Sequence, residues 1–292
     1  MNIVYTEERN AFHNYGHWIH DNLIYIFTFL KNNNLMNTNN TLYINSKLKK
    51  WNMTLEPLDI KISYNKCNKP DYVIENPFNY FRENKIDIPQ DRDLNKLIQN
   101  NKLIAQHIIL CNESKKMIPL LADFYFKKLN IKKDSETEKY KKHILFIDRN
   151  IESSGRCILN RVSFIKEFQY FCDQNNYKLN VIDFSGLTLE RQIYHFNNNS
   201  IITGYFGAGF SNTIFCMNNP KVIEILPSNW DYIIHKTYSN AKEYITIKLP
   251  ENQCECTARL KKAYVKCGLS PSFPKSRDQD ADLYLKNIKH LL

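Results

Sequence analysis

Residues 200–226, SIITGYFGAGFSNTIFCMNNPKVIEIL, leave this chain few folds to choose from. Residues 200–205 are apolar and β-branched without a helical period, so they predict a buried strand. Gly207 and Gly209 then flank Ala208. Glycine admits positive φ and lets a ligand approach the backbone, so the expectation is a tight turn. Residues 210–216 suit a short helix with Ser211 near its start, and Pro220 ends the excursion. Residues 222–226 predict a second buried strand. A helix that starts straight after a glycine turn aims unpaired N–H groups and a partial positive charge forward, which suits a phosphate. The same pattern also serves as a plain turn in any α/β protein.

The flanking pattern is regular. Strands are expected at 144–148, 179–184 and 243–247, and helices at 160–175, 188–196 and 230–239. Val162, Ile165, Phe168 and Phe171 would face inward, and Thr188 would cap its helix. Alternating strands and helices mean a parallel sheet covered on both faces, with ligands at the carboxyl ends of the strands. Arg149 follows the first of these strands, the Gly207–Gly209 turn a later one, and Glu224 stands near the end of the next. Arg156 lies in the loop after Arg149, and Asn160 opens the helix beyond.

The N-terminal half is less regular. Residues 2–5 predict a strand, and Gly16 opens a helix that runs to about Lys31. His17 and Asp21 share a face at i and i+4, with His20 beside them, and the rest of the helix is apolar. Two readings stay open for these polar groups. One is a site; the other is a capping network in which Asp21 accepts from His17 and its charge is favoured by the helix dipole. A metal is disfavoured, because the two histidines lack an obvious third ligand. Residues 41–45, 58–63, 72–75 and 103–110 look like strands, and 91–98 and 114–129 like helices. Asp91-Arg92-Asp93 follows Pro89 in a polar region and is read as chance. The charged stretch IKKDSETEKYKK at 131–142 is the best domain boundary. It divides the chain into 1–132, 133–250 and a helical tail, 251–292. In that tail Asp278, Asp280 and Asp282 begin like a calcium loop, but Leu283 and Lys289 stand where glycine and glutamate are needed.

Composition narrows the partners. Forty basic residues against thirty acidic ones give a net charge of +10, which suits an anionic partner. The lysines are scattered, with no long basic run, so nucleic acid is not expected. The apolar run near 23–30 is too short to span a bilayer and no basic segment precedes it. The expectation is a cytoplasmic chain with no transmembrane segment. The eight cysteines read as reduced thiols; Cys254, Cys256 and Cys267 cluster, but not at a usual zinc spacing.

Taken together, NYGHWIHDNL, FIDRNIESSGRCILNR and FGAGFSNTIF followed by KVIEILP resemble glycosyltransferase family 61. The resemblance covers residues 14–30 and 144–247. One departure stands out, since Phe206 occupies the position before the Gly–Ala pair where family members usually carry His. The resemblance implies an α/β, GT-B-like architecture of two Rossmann-like domains facing a cleft. The first would hold a glycan or glycoprotein acceptor and the second a nucleotide sugar, a UDP-sugar, with no metal and no other cofactor. Arg149, Arg156, Asn160, Phe206, Gly207, Ala208, Gly209, Ser211, Asn212 and Glu224 would line the donor side. Glu224 would accept from ribose hydroxyls or be a strand-end surface residue. Asp21, His17 and His20 would be catalytic, with Asp21 or His17 as the base. The alternatives are a non-catalytic sugar-binding relative and a pyruvyl or phosphoryl transferase.

Overall fold

The structure is a computed structural model and describes residues 1–6, 14–76, 112–132, 142–148, 161–227, 234–249 and 281–292. Two parallel sheets organise it. The first contains β1 (Asn2–Thr6), β2 (Thr41–Tyr43), β3 (Lys61–Ser63) and β4 (Tyr72–Glu75) in the order β3-β2-β1-β4. Val4 lies between Tyr43 and Val73 in the ladder. The expected strand at 58–63 shortens to β3, because Pro57 opens a 3-10 turn and Asp59 takes a left-handed conformation, φ 54°.

The crossover from β1 to β2 begins with one helical run in three parts. These are α1 (Tyr15–Trp18), a π segment (Ile19–Leu23) and α2 (Ile24–Asn32). Asn14 caps it, its side chain accepting from Gly16 N at 2.8 Å. Trp18, Ile19, Leu23, Ile24, Ile26, Phe27 and Leu30 are fully buried, so packing on both sides holds the run. Sequence periodicity predicts an uninterrupted α-helix. The π segment arises because side chains engage backbone carbonyls: Asn22 Nδ2 donates to His17 O at 2.9 Å, and Asn76 Nδ2 donates to Asp21 O. The unit continues through α3 (Asn52–Leu55) and α4 (Ile118–Lys128).

The second sheet contains β5 (Lys142–Asp148), β6 (Tyr177–Asp183), β7 (Ile201–Tyr205), β8 (Lys221–Pro227) and β9 (Glu243–Leu249) in the order β6-β5-β7-β8-β9. Residues of β5 alternate between two cores. Ile144 and Phe146 face one, Leu145 and Ile147 the other, which is why the strand reads as one continuous apolar run. The helices are α5 (Arg161–Gln174), α6 (Leu189–Asn197), a 3-10 helix (Ala208–Phe215), α7 (Ile234–Thr237) and α8 (Ala281–Lys289). Thr188 caps α6 as expected, accepting from Arg191 N at 3.3 Å. On α5 the inward face matches the expectation at Phe168, Ile165 and Phe171, which pack on the second core, but not at Val162. Phe164, Phe168 and Cys172 are buried, while Val162 is 64% exposed. The i, i+4, i+8 spacing brings the Phe164 and Phe168 rings to 5.1 and 6.1 Å from Phe146, and Val162 falls outside that stripe. Burial pushes the Cys172 thiol up to about 12 and raises Cys216 further, so both are inert core thiols. Leu285 and Ile288 join the second core, and Tyr177 donates to Leu292 O at 2.8 Å, so α8 is part of this unit.

The two units share apolar packing. Leu189, Ile193, Ile214, Phe215, Ile234 and Tyr238 belong to the same cluster as the core of the first unit. The Tyr125 and Phe215 rings lie 5.0 Å apart, and the hydroxyls of Tyr25 and Tyr238 lie 3.1 Å apart. The boundary expected at 131–142 lies mostly outside the described residues, as do Asp91–Asp93 and the Cys254 cluster.

Candidate functional site

The strand order of the second sheet reverses direction between β5 and β7, and such a switch point opens a crevice at the carboxyl ends of the strands. The glycine turn stands there, directly after β7. Close packing explains Gly209 in the turn and Gly204 in the strand before it. Gly207 is extended, with φ 165° and ψ 173°, and needs no left-handed allowance. A Cβ on Gly204 would stand 2.9 Å from Ile147 O, and one on Gly209 would stand 3.1 Å from Ile147 Cγ2. The positive φ expected of this turn is found instead at Gly186, φ 75°, in the loop after β6. The short helix is a 3-10 helix whose residues from Phe210 to Phe215 are buried under the first unit. Ala208 and Gly209 are the part that solvent still reaches.

The start of α1 sits directly on this turn. A Cβ on Gly16 would meet Ser211 Oγ at 3.0 Å and Ala208 Cα at 4.0 Å. Ser211 is fully buried, and its hydroxyl has no hydrogen-bond partner among the described residues. Asn212 joins the units: Tyr15 donates to its Oδ1 at 2.8 Å, and its Nδ2 donates to Gln192 Oε1 at 2.9 Å. Burial raises the Tyr15 phenol above its ordinary value, so it stays a neutral donor. Between the units, a cavity of about 740 Å³ is lined by Tyr15, Trp51, Glu56, Thr188, Ala208 and Gly209, among others.

Directly after Gly16, His17 Nδ1 lies 2.6 Å from Oδ2 of Asp21, one turn further along. Asp21 is 2% exposed and the His17 side chain 22%, so the ring is the reachable half of the pair. A carboxylate at Nδ1 holds the proton on that nitrogen and leaves Nε2 as the acceptor. The backbone beneath is fixed by buried amides. Asn76 Nδ2 donates to Asp21 O, to Tyr5 Oη at 2.8 Å and to Asn22 Oδ1 at 3.1 Å. Tyr5 donates to the same Asn22 oxygen at 2.8 Å. His20 is 1% exposed and stacks on Tyr238, with ring centroids 5.3 Å apart.

Glu224 does not stand at a strand end or on the surface. It lies mid-strand, paired with Gly204 and Thr246, and is 1% exposed. Its Oε1 lies 2.8 Å from His235 Nδ1, and its Oε2 accepts from Tyr244 at 2.6 Å. Phe206 is 5% exposed, and its ring lies 5.6 Å from that of His235. Phe206→His would therefore bury an imidazole in an aromatic pocket. It is expected to destabilise the fold by about 1–3 kcal/mol without raising turnover, as measured by melting and by sugar-transfer rate on one preparation.

Arg149, Arg156 and Asn160 lie outside the described residues. Just before them, Asp148 ends β5 and accepts from Arg161 Nε through both carboxylate oxygens at 2.9 Å. Sequence reading missed Arg161, His235, Tyr244, Asn76 and Asn22. Only Asn22 carried a local signal, as an amide inside an otherwise apolar helical run. The others act through partners distant in sequence. Among the described residues, no helix is long and apolar enough to cross a membrane.

The family model for glycosyltransferase 61 matches residues 15–223. No curated protein matches the chain. Among solved structures, the chain is similar to E. coli heptosyltransferase WaaC with ADP-2-deoxy-2-fluoro heptose. That match has 8% identity and a TM-score of 0.47 and covers 92% of this chain and 100% of the other. It is also similar to a family 9 glycosyl transferase from Veillonella parvula DSM 2008, with 9% identity, a TM-score of 0.38, and 99% and 96% coverage.

Proposed function

The chain belongs to glycosyltransferase family 61, and from that premise we propose that it transfers a sugar from a nucleotide-sugar donor, a UDP-sugar, to a hydroxyl of a glycan or glycoprotein, with inversion and without a metal. The observation that carries this reading is the His17–Asp21 pair, 2.6 Å apart, on the helix whose first turn rests on the glycine turn of the other unit. A base and a diphosphate site must lie across one cleft from each other, and the arrangement supports that division. In this reading His17 Nε2 takes the proton from the acceptor hydroxyl as that oxygen attacks the anomeric carbon. Asp21 holds the ring in the required tautomer and stabilises the imidazolium. A single base and direct displacement give inversion. The leaving diphosphate is received at the switch point, where Ala208 and Gly209 offer backbone, and the sequence adds Arg149 and Arg156. Fixed donors aimed at developing charge are often the largest single contribution to catalysis.

A thermal-shift screen with UDP-, GDP-, dTDP- and CMP-sugars tests the donor. The matching donor at one hundred times its dissociation constant is expected to stabilise the fold by about 2.7 kcal/mol. No shift with any of the four classes would contradict the reading.

A further inference from the structure

A buried carboxylate in the middle of a parallel strand needs a reason, since desolvation opposes it unless every lone pair is engaged. Glu224 is such a group, and its two oxygens are engaged by His235 and Tyr244. The partner it fixes is unusual in position. His235, on α7, is 1% exposed, and its ring lies between parts of both units. Phe206 and Phe210, which bracket the glycine turn, have centroids at 5.6 and 6.0 Å from it. His20 of the first unit lies at 5.5 Å. His20 also stacks on Tyr238, whose hydroxyl lies 3.1 Å from that of Tyr25 on α2. His20 directly precedes Asp21 in the π segment. A chain of contacts therefore runs from β8 and β9, through His235 and His20, to the His17–Asp21 pair.

We infer that His235 is a positioning residue of the transferase site. Glu224 and Tyr244 lock its imidazole, and the locked ring fixes the His17–Asp21 pair relative to the glycine turn. Glu224 thus acts through His235, not as a ribose acceptor. The inference rests on the proposed transferase reading, and it has a readout of its own. A carboxylate that accepts at Nδ1 sets the tautomer and the plane of the ring, and a displacement of about 1 Å in a reacting group lowers rates by about 10²-fold.

The test uses Glu224→Gln, which keeps size and removes the charge, and Tyr244→Phe, a milder change that guards against loss of folding. Histidine-ring nitrogen spectra are recorded without substrate, and donor KM and kcat are measured per folded molecule. Glu224→Gln is expected to move the His17 ring signals, although Glu224 does not touch His17. It is also expected to lower kcat by about 10²-fold with donor KM within a few-fold. Tyr244→Phe should change both in the same direction and by less. Unchanged His17 signals, or an undiminished kcat in the folded variants, would overturn the inference. Absence of turnover in the unsubstituted chain would count against the transferase reading alone, and the ring spectra would still decide whether His235 positions the pair.

Discussion

Asp21→Asn is expected to lower turnover by about 10²–10⁴-fold while donor affinity stays within a few-fold. The substitution is nearly isosteric, so the 2% exposed site keeps its shape. What changes is the partner of His17 Nδ1, 2.6 Å away. An amide that turns its NH₂ to that nitrogen forces the proton onto Nε2, the atom that accepts the hydroxyl proton in the proposed mechanism. It also withdraws the charge that would stabilise the imidazolium. Donor affinity should hold, because the diphosphate is assigned to the opposite unit. A capping role would give another pattern, with altered melting and unchanged turnover per folded molecule. An equal loss of donor binding would move Asp21 to the donor side.

Asn76→Leu is expected to destabilise the protein by about 3 kcal/mol, because buried hydrogen bonds to Asp21 O, Tyr5 Oη and Asn22 Oδ1 are lost and a larger side chain enters a fully buried site, each effect costing about 1–3 kcal/mol. Asn76 is fully buried and its amide donates to Asp21 O, Tyr5 Oη and Asn22 Oδ1. Leucine is larger than asparagine and donates to none of them, although Asn22 Oδ1 keeps another donor, the Tyr5 hydroxyl. The effect should reach function as well. With the Asp21 carbonyl released, the π segment loses a contact that supports it, and the carboxylate moves relative to His17. Urea unfolding should show a lower midpoint at unchanged slope. An unchanged midpoint would show that the amide network contributes nothing, and that apolar packing alone shapes the helix.

The sequence was most legible where local pattern and burial coincide. The run from β7 through the glycine turn to β8 was readable because two-sided burial removes polar alternation, and because glycines and Pro220 punctuate it. The same logic exposed β5 and the Thr188 cap. Legibility failed where a distant partner decides local geometry. Nothing in HNYGHWIHDNL shows that Asn76 will donate to the Asp21 carbonyl and help widen the helix there. Glu224 looked like a strand-end group because its partners, His235 and Tyr244, arrive from α7 and β9. Gly207 and Gly209 were identified as a tight turn with positive φ, but Gly207 is extended and close contact with Ile147 is what favours Gly209, as it requires Gly204 in the strand before. The His17–Asp21 pairing was legible from helical spacing alone. The unequal exposure of the two groups was not, and it is on that inequality that the proposed mechanism takes the ring as proton acceptor and the carboxylate as its guide.

The most direct measurement is a time course of sugar transfer by proton NMR, in the presence of a chelator, with the donor identified by the thermal-shift screen. The account predicts that transfer proceeds under chelation, and that the first-formed product carries the anomeric configuration opposite to that of the donor. Retained configuration, or transfer that stops when divalent metal is withdrawn, would contradict it.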